Sequence, residues 1–150
     1  ESRLINEFGC IKNRLEALPE ELRKMMVTAD IKTAKLIAFV GCMASDKLLF
    51  DLMYEVYRDK LYMGGTNITD ADLNIFFKDK QDQNDKVAAI TDVSIKKLKQ
   101  VYCKYMMEAG LLTGKVSEKT IVKPYVEPEL RYALQRNAMD RYLAALTGER

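Results

Sequence analysis

From Thr91 to Glu108 the chain runs without a glycine or proline, and Ile95, Leu98, Val101, Tyr102, Tyr105 and Met106 recur at three- and four-residue spacing. Only an α-helix puts such positions on one face. Thr91 and Ser94 offer side-chain oxygens to the free N–H groups of a helix start, and Gly110 can take the left-handed geometry that ends one. Lys96, Lys97, Lys99, Gln100 and Lys104 lie mostly off the apolar stripe. One face of this helix packs, and another carries positive charge.

The same period extends through most of the chain. Leu4, Phe8, Ile11, Leu15 and Leu18 predict an amphipathic helix over 2–18, and Pro19 suits the first turn of a short second helix. The stretch 30–44 is apolar almost all round in its second half, as a central buried helix would be. Ser45 can cap the next helix, which runs to about Tyr62 with Leu48, Leu49, Leu52, Met53, Val56, Tyr57 and Leu61 packing, before Gly64 and Gly65 end it. Thr69 followed by Asp72 has the form of a capping box and opens a helix whose Leu73, Phe76 and Phe77 form one face. A polar loop, QDQND, and a single turn at 87–90 lead back to the lysine-rich helix.

Past Gly110 the pattern changes. Val116, then Ile121 with Val122, are apolar pieces set between glycine, serine and proline, which predicts a small β-hairpin or extended arm near 112–125. Glu127 and Pro128 start a last helix carried by Leu130, Leu134, Ala138, Tyr142 and Ala145 to about Leu146. With three prolines and seven glycines in 150 residues, breaks are few. The expected fold is all-α: one domain over 1–150, a compact bundle of about six to seven helices with a small hairpin or arm.

Composition excludes much chemistry. The chain has no histidine, so it has no imidazole base, no Ser-His or Cys-His pair and no histidine metal ligand. Cys10, Cys42 and Cys103 are far apart, odd in number and without CxxC spacing; they read as buried thiols rather than a disulfide framework or zinc site. Asp70, Asp72, Asp79, Asp82 and Asp85 lack the rhythm and central glycine of a calcium loop, and Gly64-Gly65 lacks the lysine and strand of a phosphate loop. The expectation is no catalytic residue, metal, cofactor or small-molecule substrate. The longest apolar run, at 36–44, is about nine residues against the roughly twenty a membrane helix needs, which points to a cytoplasmic protein.

Net charge is only +2, yet the segment 94–123 carries seven lysines against Glu108 and Glu118, a net +5, so the remainder sums to about −3. Lys96, Lys97, Lys99 and Lys104 on the helix, with Lys115, Lys119 and Lys123 on the arm, follow the order of winged-helix nucleic-acid binders, in which helix and wing both touch phosphates. Base-reading Arg, Asn and Gln are sparse here, which predicts electrostatic, weakly sequence-specific contact with double-stranded DNA. The plain alternative is that these lysines solvate an exposed helix. The eight tyrosines at helical spacing read as core edges rather than base-stacking platforms, and the methionines as core filling.

Four blocks carry a family resemblance: LEALPEEL at 15–22, DLMYEVYRDKLYMG at 51–64, ITDADLNIFFKDK at 68–80 and ITDVSIKKLKQVYCKYMMEAGLL at 90–112. In this order they resemble the BrxA family of BREX bacteriophage-defence systems, over about Leu15 to Leu134 and most specifically from Thr91 to Leu112. The resemblance implies a small all-helical protein similar to the antitermination factor NusB, with DNA-binding ability and no known catalytic activity. It also implies partners: the system's methyltransferase, phosphatase-like protein and ATPase. An inner-membrane label once attached to the family finds no support in the hydropathy. Members usually have further N-terminal residues, so this chain, starting at Glu1, is expected to lack some of them. The competing reading is a scaffold that docks another defence subunit without touching nucleic acid. The lysines come from charge and periodicity, not from a family motif.

Overall fold

The computed structural model describes residues 16–115 and 118–149, with 115 and 118 described by their backbone alone. The expected helix over 2–18 lies almost wholly outside the described residues; Leu18, at its end, is in the core.

The described chain is predominantly helical. Helix α1 (Glu20–Thr28) is followed by α2 (Ile31–Ser45), α3 (Lys47–Leu52), a π-helical turn (Met53–Tyr57) and α4 (Arg58–Tyr62). Strand β1 (Asn67–Ile68) precedes α5 (Asp70–Gln83), the single turn α6 (Asp85–Ala88) and α7 (Asp92–Glu108). Strands β2 (Leu112–Lys115) and β3 (Glu118–Ile121) lead to α8 (Pro128–Arg136) and α9 (Asp140–Thr147).

Helix α2 is the central element, as its composition predicts: Leu36, Ile37, Phe39, Val40, Cys42 and Met43 are all buried, and α1, α3 and α7 pack on it. Its start is capped by Asp30, whose carboxylate accepts from Thr33 N at 2.9 Å. The cap of α3 is Asp46, not Ser45. Asp46 Oδ1 accepts from Leu48 N and Leu49 N, while Ser45 completes α2 and its hydroxyl donates back to Cys42 O. A carboxylate held between two N–H groups caps better than a hydroxyl already used one turn back.

The π turn changes the phase of the long helix, so that Met53 and Tyr57 both point inward with no exposed surface, and α9 packs against this turn and α4. The capping box at Thr69 is present: Thr69 Oγ1 accepts from Asp72 N, and Asp72 Oδ2 accepts from Thr69 N at 2.9 Å. The predicted polar loop is shorter than expected, because α5 continues to Gln83 and Asn84 alone separates it from α6, capping that turn through Lys86 N.

The predicted hairpin is present but belongs to a three-stranded antiparallel sheet in the order β1-β3-β2, with Ile68 opposite Lys119 and Gly114 opposite Lys119 on the other side. Two residues from 67–68 supply the third strand, too short a segment to show a period in sequence. The expected final helix is broken in two. Asn137 Nδ2 donates to Glu21 Oε1 on α1 and to Ala133 O, Ala138 turns left-handed at φ 57°, and Met139 enters the core.

Candidate functional site

Helix α7 is anchored where its spacing predicts. Thr91 Oγ1 accepts from Ser94 N, and Ile95, Tyr102, Cys103 and Met106 are buried. The Tyr102 hydroxyl donates to Asp46 Oδ2 at 2.8 Å, tying α7 to the start of α3. Burial, reinforced by the Asp46 carboxylate, raises the Tyr102 pKa, so its phenol remains a proton donor.

With the core face fixed, the next face of α7 looks across to α5 and β3. Between them is a cavity of ≈ 680 Å³, whose lining includes Lys96, Lys99, Gln100, Lys104 and, from the central strand, Lys119. Leu73, Cys103 and Met107 give it an apolar floor, and Asp70 and Glu108 place two carboxylates at its margin. Four of the seven lysines singled out in the sequence therefore meet at one concavity, although Lys119 is separated from the helix by the whole turn into the sheet.

These four ammonium groups differ in availability. Lys96 and Lys104 are exposed and have no salt-bridge partner among the described residues. Lys97 is exposed too, and lies seven residues before Lys104, two helical turns along the same side. Lys99 donates to Asn74 Oδ1 and sits 5.9 Å from the Phe77 ring centroid, a cation–π placement that holds it against α5. Lys119 is 4% exposed, and its ammonium lies 3.2 Å from Asp70 Oδ1. It is an internal cation at the cavity wall rather than open surface.

Lys123 is exposed and lines a second cavity of ≈ 670 Å³, together with Lys32 and Lys35 of α2. The two cavities share Met107 and Glu108, and in the second the three lysines are matched by three carboxylates, Asp30, Glu108 and Glu127. The side chain of Lys115 falls outside the described residues. Lys32 and Lys35 escape a charge count along the sequence because they stand some ninety positions from Lys123 (about three-fifths of the chain) and join it only through packing.

Cys103, though it lines the cavity, is no activated nucleophile. Burial raises its thiol pKa more than the Lys119 charge lowers it. Among the described residues no group of three or more Cys, Asp or Glu could hold a metal ion, and no helix is long and apolar enough to cross a membrane. What the arrangement offers chemically is fixed positive charge beside an apolar floor.

The comparisons with known proteins agree with the order of blocks in the sequence. The family model described as BrxA matches residues 1–138. Among curated proteins, the chain is similar to the BREX protein BrxA of Bacillus cereus (strain H3081.97), with 35% identity over 149 residues, covering 99% of this chain and 74% of that protein.

Proposed function

The chain belongs to the BrxA family, and from that premise we propose that it is a non-enzymatic, DNA-binding accessory component of a BREX phage-defence system. The observation that carries this reading is the convergence of Lys96, Lys99, Lys104 and Lys119 on one concavity, with Lys97 exposed two helical turns before Lys104. The exposed ammonium groups of Lys96, Lys97 and Lys104 contact phosphates of duplex DNA. Lys99 and Lys119, each already bonded, set the field behind them. Such binding is weakly sequence-specific and weakens steeply with salt, because each neutralised phosphate releases counterions. The protein works in the cytoplasm beside the methyltransferase, phosphatase-like protein and ATPase of its system.

The test is the triple variant K96E/K97E/K104E, whose three positions are exposed and leave the core of α7 untouched. Its circular dichroism should match the wild type while duplex binding in an anisotropy titration at low salt is lost. Unchanged binding would reject these lysines as the contact face.

A second reading has one observation in its favour: the apolar floor of Leu73, Cys103 and Met107 is of no use to a phosphate backbone but suits a partner's side chain. Here the lysines meet an acidic patch on another defence subunit. A salt-sensitive pull-down with a purified partner, combined with no duplex binding at low ionic strength, would select it.

A further inference from the structure

Away from the lysine cavity, two helical faces converge on a groove of ≈ 470 Å³ that no helix among the described residues fills. One face is formed by Val56, Lys60 and Met63, at spacings of four and three, along the π turn, α4 and its end. The other is formed by Asp72, Ile75, Phe76 and Asp79 on α5. Phe76 is buried in the floor, while Met63 and Ile75 remain 78% and 61% exposed. Two apolar stripes with an open trough between them are what a third helix packs into, and large apolar side chains left in water on both walls are the surface it would cover.

The rim has a sign. Among the described residues, Glu55, Asp59, Asp72 and Asp79 line the groove against one cation, Lys60. Lys60 is held by Asp72 at 3.0 Å, and Lys80 holds Glu55 at 2.5 Å from behind. Asp59 has its nearest cation, Arg58, at 3.7 Å, and Asp79 has no ion-pair partner among the described residues. Glu55 and Val56 belong to the π-helical turn, a distortion that recurs at functional sites. Methionine at an exposed wall adapts to an incoming surface more easily than a branched side chain.

We propose that this groove docks an amphipathic helix of a partner protein with apolar residues at i, i+3 or i+4 and i+7 and Lys or Arg on its flanks. The stretch from Asp72 to Gln83 spans about 16 Å, room for about three helical turns. The site lies on the opposite side of α5 from the lysine cavity and does not depend on DNA binding.

The experiment uses three labelled synthetic helices: one with a Leu stripe and Lys flanks, one with the same stripe and Glu flanks, and one with the Lys content kept but the stripe scrambled. Anisotropy titrations are run on the wild-type chain, on M63S/I75S, on D59N/D79N and on K96E/K97E/K104E. Only the first helix should bind the wild type and the triple lysine variant, and M63S/I75S should weaken it by about tenfold or more. D59N/D79N should weaken it less and flatten its salt dependence. Because all four substituted groove positions are exposed, circular dichroism should be unchanged throughout. Equal binding of the scrambled or Glu-flanked helix, or full binding by M63S/I75S, would overturn the proposal. So would concentration-dependent dimerisation of the wild type that M63S/I75S abolishes, which would assign the groove to a second copy of the chain.

Discussion

The Lys119 ammonium, on a side chain only 5% exposed, lies 3.2 Å from the carboxylate of Asp70, whose side chain is 76% exposed. A cation in the middle strand of the sheet thus depends on an acid at the first turn of α5. Removing the acid as D70A leaves the buried charge without this partner. It should cost about 1–2 kcal/mol in chemical denaturation, less than a fully buried pair because Asp70 stays in water. K119M, which removes the desolvated charge and keeps the stem, should be nearly neutral. A larger loss for K119M than for D70A would contradict this account.

On the proposed DNA face, the lysines should differ in a measurable way. K104Q removes one exposed charge and should reduce the slope of log affinity against log salt by about 0.9 if that ammonium meets one phosphate. K119M should leave the slope unchanged, since the ammonium is internal.

Tyr57 is fully buried, and its hydroxyl lies 2.7 Å from Val122 O and 3.1 Å from Leu111 O. Burial pushes its phenol pKa well up, so it remains a donor at all working pH. Y57F removes the donor while the ring still packs, and should cost about 1–2 kcal/mol. Amide exchange should accelerate in β2 and β3 more than in α2.

Gly110 and Gly148 share a left-handed backbone, with φ of 79° and 78°, but not the space around them. A Cβ at Gly110 meets nothing within 4 Å, whereas one at Gly148 comes 2.6 Å from Leu61 Cβ. G110A should therefore cost only the backbone term of about 1–2 kcal/mol. G148A should cost more, lowering the melting temperature further, because α9 must shift from α4.

Glu21 links α1 to α8: it accepts from Arg136 Nε at 3.1 Å and Asn137 Nδ2 at 2.9 Å. The Arg136 guanidinium, followed by the Asn137 amide, holds its carboxyl below the ordinary value of 4.5. A lowered folded-state pKa contributes stability that is present above 4.5 and lost as pH falls through that value to the lowered one. E21Q should match this acid sensitivity poorly: its melting temperature should fall less than the wild type's between pH 6 and about pH 3.

The helices were legible because their signals are local. The cap and stripe of α7, the capping box at Thr69 and the apolar run of α2 each lie within a few turns of chain, where the period of 3.6 acts directly. The lysine cluster was legible only in part. Lys96, Lys99 and Lys104 share a helix face by spacing, but nothing local says that Lys119 is internal or that Lys32 and Lys35 join Lys123. The groove at Met63 and Ile75 left no trace either, since each stripe alone reads as an ordinary solvated face.

By itself, then, the sequence determined the helical class, the hairpin after Gly110, the family and the positive face of α7, because propensity, capping and periodicity act over short range. Tertiary structure alone decided which charges face water. Strand register sets Lys119 between Ile68 and Gly114, Asn137 breaks the last helix by reaching Glu21, and the packing of α5 against α7 turns a stripe of lysines into the wall of a cavity. These depend on contacts between residues far apart in the chain, whose geometry no local period encodes.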